Sequence, residues 1–218
     1  MTSRTLLALA LSSLLACHSH VDGTSVELVA ASVAVDQLVD AEGRTLEVDR
    51  LELDLDLLEL IFCEDGLARR MLRELLLPGR ALAHHGSHGR PTEFEGPVTI
   101  DAKTGGEAVL GALEPPPGRY CAAMLVFGDA RLEGQLGEAH ISHALTLGTT
   151  IFVALDTPLE LSSAQREGKL ALRLDLRELL AEVDLEAATA ESLAEALEAA
   201  LPGAITAGAV AVEHAHTH

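Results

Sequence analysis

Leu51-Glu-Leu-Asp-Leu-Asp-Leu57 alternates leucine with acid without a break. Successive side chains of a strand point to opposite faces, so this stretch has one leucine face and one carboxylate face. That is the pattern of an antiparallel strand with one side on a core and the other in water. It runs on through Leu60 and Phe62 to Cys63.

The same period recurs on either side. Val26 and Leu28 alternate with Ser25 and Glu27, Ala30-Ala31 shift the phase, and Val33 and Val35 resume it. Short strands are also expected at 97–101, 139–147, 149–155 and 169–174. In the last of these, Leu170, Leu172 and Leu174 alternate with Ala171, Arg173 and Asp175. Gly66–Leu77 differs: Leu67, Met71, Leu72 and Leu75 fit helical spacing, and Pro78-Gly79 would stop such a helix. After Leu174 the chain changes character. Asp175 and Glu178 form a capping pair for one short helix, and Thr189 can cap a second. The second places Leu193, Leu197 and Leu201 on one stripe and is expected to stop at Pro202-Gly203. A final strand is expected from Ile205 to Val212.

Leu113-Glu-Pro-Pro-Pro-Gly-Arg-Tyr-Cys121 leads into the apolar run Ala122–Phe127. It resembles the Leu-x-Pro-Gly-x-Tyr approach to a strand in transthyretin-like and other immunoglobulin-like sandwiches, among them several bacterial lipoprotein families. The departure is the triple proline, which lengthens the turn. The resemblance implies that Tyr120, at a strand start, bonds back to nearby backbone as in a tyrosine corner. The expected fold is therefore mainly β: an antiparallel β-sandwich over residues 25–212, with one or two short C-terminal helices.

The N-terminus carries an address. Arg4 precedes a short apolar run, Thr5–Ala16. Spanning a bilayer takes about 20 apolar residues, so this run reads as the core of a secretory signal. It ends in Leu14-Leu15-Ala16-Cys17, which resembles the lipobox of bacterial lipoproteins. The resemblance implies a signal over 1–16, lipidation of Cys17, a tether over 17–24 and anchorage in the cell envelope. With His18 rather than Asp after the cysteine, the outer membrane is expected, facing the periplasm or the cell surface.

Removing Arg4 with the signal leaves 34 acidic residues against 14 basic ones, a formal charge of −20. Nucleic acid and anionic head groups need basic patches and are poor partners, whereas such a field attracts cations. Cys63 and Cys121 remain as an even pair in an exported chain, which reads as a disulfide and not as reactive thiols. The motifs of hydrolases, zinc proteases and phosphate-binding loops are absent, and the chain is read as non-catalytic.

All ten histidines fall into four clusters: His18 and His20; His84, His85 and His88; His140 and His143; His214, His216 and His218. Imidazole is the commonest protein metal ligand, and first-row ions need several donors close together. The loop triplet lies among Gly86, Gly89 and Pro91, and the tail triplet spans residues 213–218. These six are the expected ligands of a divalent metal, zinc or copper. The first pair reads as part of a polar tether. His140 and His143 read as ordinary strand residues that face opposite ways. A second reading of the chain is a structural lipoprotein that docks onto another envelope protein.

Overall fold

A computed structural model of the chain describes residues 23–63 and 90–210. The strands are β1 (Ser25–Ser32), β2 (Gln37–Val39), β3 (Thr45–Phe62), β4 (Glu93–Asp101), β5 (Gly106–Leu113), β6 (Gly118–Leu136), β7 (Ala139–Leu161), β8 (Glu167–Leu174) and β9 (Ile205–Val210). One helix, α1 (Ala190–Ala204), precedes β9. The strand order is β2-β3-β6-β7-β9-β8-β1-β5, and β4 pairs with β3 on the edge that β2 also uses.

The alternation that begins at Leu51 holds as far as Leu55, but Leu57, expected on the same face, is only half-buried and turns outward. Leu51, Leu53 and Leu55 are buried at 0–1 % exposure. At Asp56 the register slips against both β4 and β6, so Leu58 and Leu60 become the inward residues. A matching slip lies between Phe127 and Asp129 where β6 meets β7. Leu55 pairs with Val98 on one side and Phe127 on the other, so these irregularities form one crease across neighbouring strands. A bulge bends its strand and increases its twist. Gly96 lies on the same crease: a Cβ there would stand 2.1 Å from the carbonyl oxygen of Leu55.

The curled sheet brings its edge strands β4 and β5 close without hydrogen-bonding them into a closed ring. The ring of Phe94 lies over Gly111, where a Cβ would meet it at 2.4 Å. The sheet is mixed, which corrects the all-antiparallel expectation. β1 runs parallel to β8 along its whole length, and β7 meets β9 in parallel at Leu155 and Ala207. These strands are far apart in sequence, so no tight turn imposes an antiparallel direction on them.

The C-terminal part holds one helix. Thr189 caps it reciprocally with Ser192, and Leu193, Leu197 and Leu201 are buried against the core. Pro202 sits in its last turn, and the helix passes into β9 at Ile205. The expected first helix, after Asp175, is a run of turns, with Leu179, Ala181 and Val183 each donating to a carbonyl three residues back. Asp175 turns its carboxylate to Arg177 instead of capping a helix. The two strands expected at 139–147 and 149–155 are one strand, β7, of 23 residues. The helix expected over Gly66–Leu77 lies outside the described residues.

Candidate functional site

Tyr120 begins the apolar part of β6 and is fully buried. Its ring stacks on Phe62 of β3 at 4.4 Å between centroids, and Phe62 in turn covers Gly118. Its hydroxyl donates to the carbonyl of Pro116 at 2.7 Å, the back-bond implied by the Pro-Gly-x-Tyr resemblance. Burial pushes the phenol up to about 12, because the interior disfavours the phenolate. Next to it, Cys63 and Cys121 stand at disulfide-bonding distance, with Cα atoms 4.8 Å apart.

This end of the sheet is also where several segments of the chain leave the described fold. Cys63 closes β3, and the chain resumes at Arg90, whose carbonyl receives the amide of Glu93. The first described residues are held at the same end: Thr24 donates to the carbonyl of Pro115, and the amide of Ser25 donates to that of Arg166. Val210, the last described residue, pairs with Lys169. Gly168, its neighbour, packs on Leu159 and Leu161, which pair with Tyr120 and Gly118. The three attachment points thus share one end of the domain.

Cys17 and the candidate ligands His84, His85, His88, His214, His216 and His218 lie outside the described residues, as do His18 and His20. His140 and His143 are described. They sit at the opposite end of β7, beside the Gly137 turn that joins it to β6. His140 is exposed and its Nδ1 faces the Gln135 amide nitrogen at 3.0 Å, while His143 lies on the side of Leu145 and Leu147. They face apart, as expected for strand residues three positions apart. Among the described residues no group of three or more His, Cys, Asp or Glu is placed to hold a metal ion, and no helix is long and apolar enough to cross a membrane.

Two polar clusters escaped the sequence reading. Arg44 gathers Asp40, Asp184 and Glu186, fastening the turn between β2 and β3 to the coil that follows β8. Burial alone would raise the Asp40 carboxyl, but the Arg44 side chain and backbone amides hold it below its usual value. Asp184 and Glu186 are 140 and 142 positions from Arg44, so spacing offers no clue to them; only Asp40, four positions before Arg44, is near it in sequence. The second cluster is a shallow hollow of about 300 Å³ lined by Arg50, Glu52, Asp54, Thr99, Ala130 and Arg131. Its groups largely engage one another: Arg50 pairs with Glu52 at 2.9 Å, and Thr99 donates to Asp54 at 2.6 Å. The alternating outward positions 50, 52 and 54 of β3 were its available signal.

Comparison with known proteins adds no homology: no family model, no curated protein and no solved structure matches the chain.

Proposed function

We propose that the chain is a non-catalytic, envelope-anchored lipoprotein that binds a divalent transition metal, zinc or copper, through its histidine clusters, serving as carrier, buffer or sensor. Cys17 is the lipidated residue, and His84, His85, His88, His214, His216 and His218 are the ligand pool. The curled sheet serves as a sandwich-like support to which these segments attach at the same end as the lipid tether.

The observation that carries this reading is the shared end of the domain. The flanks of the three segments that hold eight of the ten histidines are Thr24, Cys63 with Arg90, and Val210. Neighbouring strands are about 4.8 Å apart, so the β4 and β9 ends, four strands apart, are separated by about 19 Å along the sheet. An extended chain covers about 3.3 Å per residue, so His214 is within about 13 Å of Val210 and His88 within about 7 Å of Arg90. Loop and tail imidazoles are therefore within reach of one ion. A chain with 34 acidic residues supplies the field that draws a cation to them.

Isothermal titration of the chain from Asp22 onward with Zn²⁺ and with Cu²⁺ tests the reading. Saturable binding by one of them supports it. No heat from either leaves the structural lipoprotein that docks onto an envelope protein.

A further inference from the structure

We draw no further inference here: the strongest candidate, the outward-facing row of Leu57, Glu59, Ile61, Ala122 and Met124 on β3 and β6 beside the Cys63–Cys121 pair, is buried at Glu59, Ile61 and Ala122, and nothing among the described residues shows what covers it.

Discussion

The hydroxyl of Tyr120 reaches back four residues to the carbonyl of Pro116, tying the proline turn to the strand that the turn starts. Tyr120→Phe keeps the ring on Phe62 and deletes only this bond. A neutral hydrogen bond contributes about 1 kcal/mol net, which in a domain of this size lowers the melting temperature by about 2–4 °C. The pH dependence has a definite sign. The folded phenol titrates at about 12 against an ordinary 10, so folding holds the proton more tightly than the unfolded chain does. Its contribution is complete below pH 10 and is lost as pH rises through about 12. Urea denaturation across that window should show a steeper decline in the native protein than in the Phe variant.

Cys63 and Cys121 are 58 positions apart. Cross-linking over that span restricts the unfolded chain by about 4 kcal/mol in the loop-entropy picture. The Cys63→Ser, Cys121→Ser double variant should unfold at correspondingly lower denaturant, and reductant should have the same effect on the native protein. Equal midpoints with and without reductant, or free thiols by mass spectrometry of the exported protein, would show that the bridge is not formed.

Arg44 faces a carboxylate, Asp40, whose side chain is fully buried. Arg44→Gln removes the partner that holds Asp40 and Asp184 ionised. Both carboxyls sit below their ordinary 3.8 in the native protein, so their contribution is present above that pH and disappears as pH falls through the depressed values. The variant should therefore be less stable at neutral pH, with a difference from the native protein that narrows in acid. Thermal denaturation followed at several pH values checks this, and a constant difference down to acid pH would count against it.

Local features were legible and long-range ones were not. Leu51, Leu53 and Leu55, and likewise Leu193, Leu197 and Leu201, disclose their faces through spacing alone, whereas the slip at Asp56 that turns Leu57 outward leaves no mark in the alternation. Tyr120 was legible through the turn before it. The parallel contact of β1 with β8 joins residues about 140 positions apart, and neither strand's composition specifies the direction of its neighbour. The turns after Asp175 show the same limit. Leu176, Leu179 and Leu180 are buried as a helix stripe would be, but they reach the core from turns. Cys63 and Cys121 stand at disulfide-bonding distance, and His140 and His143 face apart, as residues three positions apart on one strand must.

The control for the metal reading is the remaining histidine pair. His140 and His143 face apart at the far end of β7, so replacing both with alanine should leave metal affinity and stoichiometry unchanged. A loss on that replacement would move the site away from the shared end.

The most direct measurement is isothermal titration of three forms of the chain: the native sequence from Asp22 onward, the same with His84, His85 and His88 changed to alanine, and the same truncated after Val212. If loop and tail hold one ion together, each change alone lowers affinity for zinc or copper. The native affinity also falls between about pH 7.5 and about pH 5.5, as imidazoles with an ordinary pKa of about 6.5 take up protons and stop binding metal. A variant that binds with native affinity and stoichiometry contradicts the shared site, and native binding by both variants contradicts the assignment of the metal to these six histidines.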